Sequence, residues 1–407
     1  MVFCCLAEHS SQDEIKSNIE KLKPSVVKLL ISDKQSKPDA NGNTLQSLEE
    51  ILSQPRDDSI LLPVKTSLDE TATYVLSSGS TGQPKAIIKT NRNLLTTVEA
   101  TQHREMTELT PNEIQLSSNL SHVSGQRYLI SAINGRAQLA IVRVDENLDD
   151  VYGNIHKYNI TSAFLIPTQL NYLVKNSETI DRDYLKSLRD VVTGAAPVSE
   201  TTFRCYSMSE VGWATQTPVT QFINDYTCVG KVCPNTQIKV IDDQGHSLPA
   251  NTNGQVCIGG PQVTPGYLNN AEENDKLFTA DGFLKTGDIG YYDDNHYFYI
   301  VGRSKEVINV ERSIVMPAEI ENILLTHNDV VNAAVFGVKD EERGEVPMAF
   351  ITRANGATIT PQELIDYVDS RVNYYKKLRG GIRVLDAFPL TSLKKINRGV
   401  LKKMLST

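Results

Sequence analysis

The chain has 407 residues, of which 40% are apolar and 22% are charged, and its net charge is −8. This composition is typical of a globular protein with two or three domains. Acidic and basic residues are mixed along the chain, which argues against a nucleic-acid backbone or an anionic membrane as partner. No apolar run approaches the roughly 20 residues of a transmembrane helix, and the six cysteines have no zinc-site spacing. We therefore expect a soluble intracellular protein with free thiols.

Short apolar segments alternate with helix-like segments from residue 74 onwards. Strands are predicted at 74–76, 138–142, 162–166 and 188–192, and helices at 148–158 and 168–175. Strands that alternate with helices of this length are typical of parallel sheets with both faces covered. The pattern predicts an α/β fold with a doubly wound, mostly parallel sheet.

Two further regions follow this sheet along the chain. Segments 237–241, 254–258 and 297–301 are strand-like and are separated by turn-rich loops, so they predict a β-rich subdomain. After residue 303 we predict a helix at 317–325, strands at 331–338 and 348–352, and a second helix that opens on a capping box at Thr360 and Glu363. The predicted domains are 1–302 and a small α+β domain at 303–407.

The strongest motif directly follows the predicted strand 74–76. Glycines allow backbone N–H groups to approach phosphate oxygens closely, while hydroxyls and a lysine add donors and positive charge. Pro84 stands where a Walker A loop requires glycine, so this is a different phosphate loop. The alternative interpretation of this glycine- and serine-rich segment is a flexible surface loop that binds no phosphate. The candidate phosphate ligands are Ser77, Ser78, Gly79, Ser80, Thr81, Gly82 and Lys85.

Together with six later motifs, this loop resembles the adenylate-forming superfamily of acyl-CoA synthetases, 4-coumarate–CoA ligases and luciferases. The resemblance covers roughly residues 70–404. The later motifs are SNLSH at 118–122, TGAAP at 193–197, YSMSE at 206–210, TGD at 286–288, GRSKE at 302–306, and the C-terminal signature at 376–381 with 389–398. Several motifs in the right order are far more specific than any one of them.

The resemblance implies that a carboxylic acid attacks the α-phosphorus of ATP to give an acyl-adenylate, which then passes to coenzyme A. The chemistry depends on positioning and on charge stabilisation. For the nucleotide, the resemblance implies that Gly194, Ala195, Ala196 and Pro197 line the adenine, that Tyr206 stacks near it, and that Asp288 binds the ribose beside Arg303. For the phosphates, it implies that Ser209 contacts the α-phosphate and that Glu210 binds Mg²⁺. It also implies that Lys305 is the interdomain hinge, that Lys395 is the adenylation lysine, and that His122 lies at the acyl pocket.

Each role has a structural alternative. Glu210 could be a solvated surface carboxylate, and Asp288 could shape a turn after Gly287. Lys395 has basic neighbours and could belong to a solvated helix face. His122 could be a satisfied, partly buried histidine.

The chain departs from the family pattern at several positions. Only 73 residues precede the first strand, where family members usually carry a longer segment. Only 198–203 separate two parallel strands that the family connects through a helix, and a parallel crossover usually needs about a dozen residues. Either the second strand is displaced, which would move Tyr206, Ser209 and Glu210 together, or the chain is a splice form or a faulty gene model. Arg312, Lys394 and Ala86 replace family glycines.

These observations predict an acid–CoA ligase, with a fatty acid as the expected small-molecule substrate and ATP, Mg²⁺ and coenzyme A as cofactors. The shortened chain leaves open a non-catalytic nucleotide-binding protein. A luciferase-like monooxygenase is disfavoured because Asn309 stands at the family's post-hinge lysine. The resemblance suggests a peroxisomal location, although the C-terminus is not of the Ser-Lys-Leu type. The oligomeric state stays open.

Overall fold

The structure is a computed structural model that describes residues 3–4, 30–31, 46–47, 67–77, 85–101, 111–117, 120, 122–141, 148–165, 169–170, 182–194, 203–217, 227–311, 313–354, 356–390 and 396–405. The contacts divide the chain into one unit formed by 1–7 with 71–407 and a second unit formed by 8–70. In the second unit, the described strands Leu30–Ile31 and Gln46–Ser47 pair in parallel.

The strands of the described residues are β1 (Phe3–Cys4), β2 (Leu30–Ile31), β3 (Gln46–Ser47), β4 (Thr71–Ser77), β5 (Lys85–Thr90), β6 (Ile114–Ser117), β7 (Gln138–Ile141), β8 (Ser162–Phe164), β9 (Asp190–Gly194), β10 (Phe203–Met208), β11 (Gly212–Gln216), β12 (Cys228–Val232), β13 (Gln237–Ile241), β14 (Gly254–Gly259), β15 (Leu284–Tyr292), β16 (Phe298–Arg303), β17 (Ile308–Val310), β18 (Ser313–Val315), β19 (Val330–Asp340), β20 (Gly344–Arg353) and β21 (Ile382–Val384).

The α-helices assigned in the same residues are α1 (Asn91–Thr101), α2 (Val123–Gly135), α3 (Leu148–Lys157), α4 (Ala271–Leu277), α5 (Pro317–Leu325), α6 (Pro361–Asp369) and α7 (Arg398–Lys403). Short 3-10 turns cover Arg182–Leu185, Ser304–Glu306 and Tyr374–Lys376.

One long sheet organises the larger unit, with the strand order β13-β14-β15-β16-β12-β11-β10-β9-β8-β6-β7. The five strands from β10 to β7 pair in parallel, and every pairing from β10 to β13 is antiparallel. The predicted α/β class is confirmed. The strands that we predicted as a β-rich subdomain continue this sheet instead of forming their own. A separate small sheet joins β1, β4 and β5.

Helices cover both faces of the parallel half. Val191 packs in one core with Tyr152 and Ile155 of α3, whereas its neighbour Val192 packs in another core with Ala100 of α1. Because successive strand side chains point to opposite faces, α1 and α3 must lie on opposite sides of the sheet. This arrangement confirms the doubly wound pattern that the alternation of strands and helices predicted.

The antiparallel half of the sheet bends back over β10 and β11. Val211 and Ala214 share a core with residues of β14 and β15, although two or more strands separate these pairs in the strand order. The bend is at β12, which pairs with β11 and with β16. Gly230 lies there with φ +90, and a Cβ on it would sit 2.0 Å from the backbone carbon of Gln216. Only glycine fits this crossing of two backbones.

The strand for which displacement was one alternative keeps its parallel pairing. Phe203 lies opposite Val192 and Cys205 lies opposite Gly194, so β10 pairs directly with β9. The paired segments overlap by only three residues. The connection from the end of β9 to the start of β10 therefore has to run back by only about 7 Å along the strand direction. A connection of eight residues is long enough for that distance. The alternative of a displaced strand is therefore wrong for β10.

The C-terminal region forms an α+β unit around a five-stranded sheet of β17 to β21. Helices α5 and α6 cover one face, where Ile320 and Leu364 are buried. Helix α7 covers the other face through Leu401. The predicted capping box is present, with Thr360 and Glu363 each bonding the other's backbone N–H.

The structure also bears on the predictions about Ala86, the cysteines and membrane-spanning helices. Ala86 lies in β5 opposite Leu76 and is not among the residues with positive φ, so replacing a family glycine there causes no backbone strain. Four described cysteines are buried, namely Cys205, Cys228, Cys233 and Cys257. Within the described ranges, no helix is long and apolar enough to cross a membrane.

Candidate active site

Asp288 and Arg303 form the centre of the first cluster of predicted site residues. They lie directly opposite each other on the antiparallel strands β15 and β16. Arg303 Nε is 3.2 Å from Asp288 Oδ1, and the carboxylate is nearly buried, with 6% of its side chain exposed. Burial raises the pKa of Asp288, while the Arg303 charge and a hydrogen bond from Tyr206 oppose that rise.

Tyr206 reaches this carboxylate from β10. Its hydroxyl donates a hydrogen bond to Asp288 Oδ2. In a flat sheet, β10 and β15 would be four strand spacings apart, or about 19 Å. The contact exists because the sheet bends at β12. The bend therefore brings the predicted adenine-stacking tyrosine to the predicted ribose-binding aspartate.

Glu210 lies in the turn between β10 and β11, and both its carboxylate and its backbone carbonyl accept hydrogen bonds. Tyr267 donates its hydroxyl to Glu210 Oε1 at 2.9 Å. The backbone carbonyl of Glu210 accepts from Lys89 Nζ at 3.1 Å and from the Thr264 N–H at 2.8 Å. A partly buried carboxylate that is held in this way is not the solvated surface residue of the alternative reading. Ser209 lies beside it in the same turn.

Lys85 begins β5 and forms an ion pair with Glu273 of α4. The Lys85 Nζ and Glu273 Oε2 atoms are 2.5 Å apart. The hydrogen bond and charge of Lys85 lower the pKa of Glu273. The predicted phosphate-binding lysine thus already holds an anionic oxygen, and a phosphate would have to replace this carboxylate.

Tyr267 connects these two groups. Its ring centroid is 4.8 Å from Lys85 Nζ, while its hydroxyl bonds Glu210. Burial and the Glu210 charge raise the pKa of Tyr267, so the phenol stays protonated and acts as a donor at neutral pH. The charge of Glu210 also acts on Asp288. The structure therefore connects Lys85 and Glu210 through Tyr267.

His122 lies at the start of α2, where it is the N-cap residue. Its Nδ1 accepts from the Ser124 N–H and is 2.8 Å from Ser124 Oγ. This arrangement favours the partly buried, satisfied histidine over a group dedicated to catalysis. The role at an acyl pocket stays a prediction.

The predicted hinge region follows β16. Lys305 is exposed in the 3-10 turn Ser304–Glu306, and Ser304 Oγ donates to the Gly287 carbonyl at 3.0 Å. Arg398 pairs with Glu306 of this turn, with Nε 3.2 Å from Oε2. The beginning of α7, three residues after Lys395, is thereby attached to the turn that contains the predicted hinge residue.

Several predicted residues lie outside the described part. Gly194 ends β9 and Ser77 ends β4, but the residues that follow each of them are not described. Glu311 occupies the first position of the turn between β17 and β18 with φ +56, whereas its neighbour is not described. The undescribed predictions are Ser78, Gly79, Ser80, Thr81, Gly82, Ala195, Ala196, Pro197, Arg312, Lys394 and Lys395.

Sequence reasoning missed Lys89, Tyr267 and Glu273. Lys89 had a usable signal, because a lysine inside an apolar strand must find a partner if it is buried. Tyr267 and Glu273 carried no local signal, since their partners are 57 and 188 residues away in the chain.

No group of three or more His, Cys, Asp or Glu side chains in the described residues is arranged to hold a metal ion. A hard ion bound through one carboxylate and the oxygens of a substrate phosphate fits Glu210, whose Oε1 is held by Tyr267.

Two family models match the chain. The model described as AMP-binding enzyme covers residues 1–268, and the model of the AMP-binding enzyme C-terminal domain covers residues 319–395.

Curated relatives are about a third identical to this chain over the aligned residues. A 4-coumarate–CoA ligase-like protein from Arabidopsis thaliana is 32% identical over 83% of the chain and 63% of its own length. Luciferin 4-monooxygenase of Photinus pyralis is 31% identical over 95% and 73%. 4-Coumarate-CoA ligase 1 of Narcissus pseudonarcissus is 33% identical over 86% and 68%. The chain thus spans 63% to 73% of the length of these relatives.

Solved structures share the fold at lower identity. ATP-bound MatB from Rhodopseudomonas palustris matches with a TM-score of 0.85 and 21% identity, over 99% of this chain and 83% of that protein. The o-succinylbenzoate CoA synthetase MenE from Bacillus subtilis, bound to an acyl-adenylate, matches with a TM-score of 0.84 and 24% identity, over 98% and 83%. With the two family models and the shared fold, the chain belongs to the AMP-binding family of adenylate-forming enzymes.

Proposed function

We propose that this chain is an acid–CoA ligase that activates a carboxylic acid through an acyl-adenylate. The observation that carries the proposal is the Tyr206–Asp288–Arg303 cluster beside the anchored Glu210. An aromatic ring, a buried carboxylate and a guanidinium suit an adenosine, whose ribose hydroxyls are donors and whose base stacks. Family membership and the 4-coumarate–CoA ligase relatives support the same activity.

In the first half-reaction, a carboxylate oxygen of the acid forms a bond to the α-phosphorus of ATP, and the bond to pyrophosphate breaks. Both reactants are anions, so the site must hold them together and offset their charge. The ion pair between Lys85 and Glu273 supports this role for Lys85, because its ammonium can exchange the Glu273 carboxylate for a phosphate oxygen. Lys395 would supply a second positive charge from the C-terminal domain.

Magnesium fits this site through Glu210. When bound, it would offset the negative charge of the ATP phosphates, since it prefers carboxylate and phosphate oxygens. Tyr267 and Lys89 keep the Glu210 turn in place by bonding its carboxylate and its carbonyl respectively. These bonds orient the carboxylate before any ligand arrives.

In the second half-reaction, the sulfur of coenzyme A attacks the acyl carbon, AMP leaves, and the thiol proton passes to solvent. A fatty acid is the acid that we propose from the resemblance. None of the side chains described above restricts its chain length.

A non-catalytic nucleotide-binding protein is the second candidate. The shortened connection at 195–202 supports it, because the family usually places a helix there. A luciferase-like oxidation is a third candidate, supported by the Photinus pyralis relative. The exposed Asn309 at the position of the family's lysine argues against it.

The test is acid-dependent exchange of labelled pyrophosphate into ATP by the purified chain, with a panel of fatty and aromatic acids. Lys395→Ala is the catalytic control, and Lys402→Ala is the matched control because Lys402 is exposed in α7. The proposal predicts exchange that requires an acid, is lost in Lys395→Ala and is kept in Lys402→Ala. Thermal stabilisation by ATP–Mg²⁺ without exchange would favour the non-catalytic protein.

A further inference from the structure

Arg398, the first residue of α7, makes a contact with each nitrogen atom of its guanidinium group. Its Nη1 donates to Glu321 Oε1 at 2.6 Å, and its Nη2 donates to the Val335 carbonyl at 2.6 Å. Its Nε lies 3.2 Å from Glu306 Oε2. Among the described residues Nε has no hydrogen-bond partner, so the contact with Glu306 is an ion pair alone. Because the guanidinium group is planar and rigid, these three contacts together fix its orientation.

Two of the contacts attach Arg398 to the edge of the C-terminal sheet. Strand β19 is the last in the order β18-β17-β20-β19, and on its outer side the described residues provide no further strand. There the Val335 N–H donates to Glu321 Oε1 at 2.7 Å, while the Val335 carbonyl accepts from Arg398. The ion pair of Glu321 and Arg398 thus satisfies both backbone groups in place of a neighbouring strand. Since only 12% of the Glu321 side chain is exposed, Arg398 is anchored in this unit.

The third contact reaches the 3-10 turn that follows β16. At the start of this turn, Ser304 Oγ donates to the Gly287 carbonyl at 3.0 Å, and Gly287 directly precedes Asp288, the proposed ribose acceptor. At its end, Glu306 pairs with Arg398. Burial raises the pKa of Asp288, and the charge of Glu306 adds to that rise, so Glu306 lies within electrostatic reach of the ribose acceptor. The turn is therefore attached to the nucleotide cluster at one end and to the C-terminal sheet at the other.

The backbone of Arg398 belongs to the segment that directly follows Lys395. The Arg398 N–H donates to the Ile396 carbonyl at 3.0 Å, and Ile396 pairs with Leu390 by a backbone bridge. This bridge closes the base of the segment 391–395, whose own residues are not described. Because Ile396 is bonded covalently to Lys395, fixing Ile396 limits where the lysine can be. Arg398 therefore joins the base of this segment to the turn beside the nucleotide cluster.

We propose that Arg398 is a positioning residue for acid activation and that it acts through Glu306. Their ion pair holds Ile396, and with it the preceding Lys395, in a fixed place relative to the ribose cluster. This inference rests on the proposed ligase function. A charge that stabilises the reaction at the α-phosphorus must be placed accurately, since a misplacement of about 1 Å can cost about a hundredfold in rate. Binding of ATP does not require the pair, because neither side chain is among the proposed nucleotide ligands.

Glu306→Gln is the sharpest test, because it removes one charge of this ion pair and leaves the contacts of Arg398 with Glu321 and Val335 in place. In pyrophosphate exchange, kcat should fall at least about fivefold, while KM for ATP should change by less than about twofold. Glu341→Gln, which removes an exposed carboxylate from the same unit, is the matched control and should change neither value. An unchanged kcat in Glu306→Gln would overturn the inference.

A double-mutant cycle shows whether the two residues act together. Arg398→Met should lower kcat by at least the same factor, and it should also lower the melting temperature because the bonds to Glu321 and Val335 are lost. Arg398→Lys keeps the charge and should recover part of kcat. In Glu306→Gln/Arg398→Met, kcat should fall no further than in Arg398→Met alone. Losses that multiply would show that Arg398 does not act through Glu306. If Arg398→Met does not fold, Arg398→Lys takes its place in the cycle.

Amide hydrogen exchange tests the ion pair without relying on catalysis. Peptides that cover residues 303–310 and 396–400 should exchange up to about fivefold faster in Glu306→Gln than in the wild type, which is the range that partly exposed ion pairs contribute. Peptides of α6 serve as the internal reference. Equal amide exchange in the two proteins would contradict the proposed anchoring. Failure of pyrophosphate exchange with every acid in the wild type would refute the ligase function, whereas the anchoring by Arg398 would then stand or fall on the amide exchange.

Discussion

Lys89 makes the stability of the protein depend on pH in a way that can be measured. Its side chain is 3% exposed, and its Nζ donates to the Glu210 carbonyl at 3.1 Å. Burial lowers the pKa of Lys89 from 10.5 to about 8, although the charge of Glu210 opposes this. Each pH unit of such a difference is about 1.4 kcal/mol, so the protonated lysine destabilises the fold by about 3 kcal/mol relative to the neutral one.

The sign follows from proton binding. Between pH 8 and 10.5 the unfolded chain holds a proton on Lys89 more often than the folded protein does. Stability therefore rises with pH in this window. The destabilisation is complete below pH 8 and absent above pH 10.5.

Replacing Lys89 by methionine should remove this dependence. At pH 7 the variant avoids a penalty of about 3 kcal/mol and loses a hydrogen bond worth about 1 kcal/mol, so it should be more stable than the wild type by about 2 kcal/mol. Above pH 10.5 only the lost hydrogen bond counts, and the wild type should be more stable by about 1 kcal/mol. The difference between the two proteins should change sign.

Urea unfolding followed through the fluorescence of the buried Trp213 measures this difference at pH 7, 8, 9 and 10. Lys402→Met serves as the control, because it removes an exposed lysine whose contribution should not vary over this range. A Lys89→Met difference that stays constant from pH 7 to 10 would refute the reasoning.

Three further changes have defined outcomes. Asp288→Asn removes the charge of the proposed ribose acceptor, so AMP should bind about tenfold to a hundredfold more weakly by calorimetry, whereas unchanged affinity would remove Asp288 from the nucleotide site. Glu273→Gln frees Lys85 from an exposed ion pair, so ATP should bind up to about fivefold more tightly at low salt, and weaker binding would mean that the carboxylate helps to hold the ligand. Thr360→Ala removes one half of the capping box and should destabilise α6 by about 1 kcal/mol in thermal unfolding, with pyrophosphate exchange unchanged at temperatures where the variant is folded.

Local sequence patterns predicted those helices and strands whose boundaries are marked by residues within them or directly beside them. The helix Pro317–Leu325 was predicted with its observed bounds, because proline at its first position and apolar residues on one face both mark it. The strand Gln237–Ile241 was also predicted with its observed bounds, since turns delimit it on both sides. The phosphate loop, although its motif is the strongest in the sequence, lies outside the described residues.

Long-range geometry could not be predicted in the same way. The contact between Tyr206 and Asp288 depends on the bend at Gly230, and no motif marks that bend. A displaced strand was one of the alternatives for β10, and its parallel pairing with β9 contradicts that alternative. The general rule about crossover length does not consider that only three residues of the two strands overlap. Lys89 contacts Glu210 across 121 residues, which no periodicity reports.

The bend at β12 also bears on the order in which the protein folds. The Tyr206–Asp288 bond joins residues 82 positions apart, so closing that loop costs chain entropy that only later contacts repay. The parallel strands and their helices contain many closer contacts and can form first. We expect nucleotide binding to recover after Trp213 is buried when the unfolded chain is diluted from urea, since the ribose site is completed only when the sheet has bent over itself at Gly230.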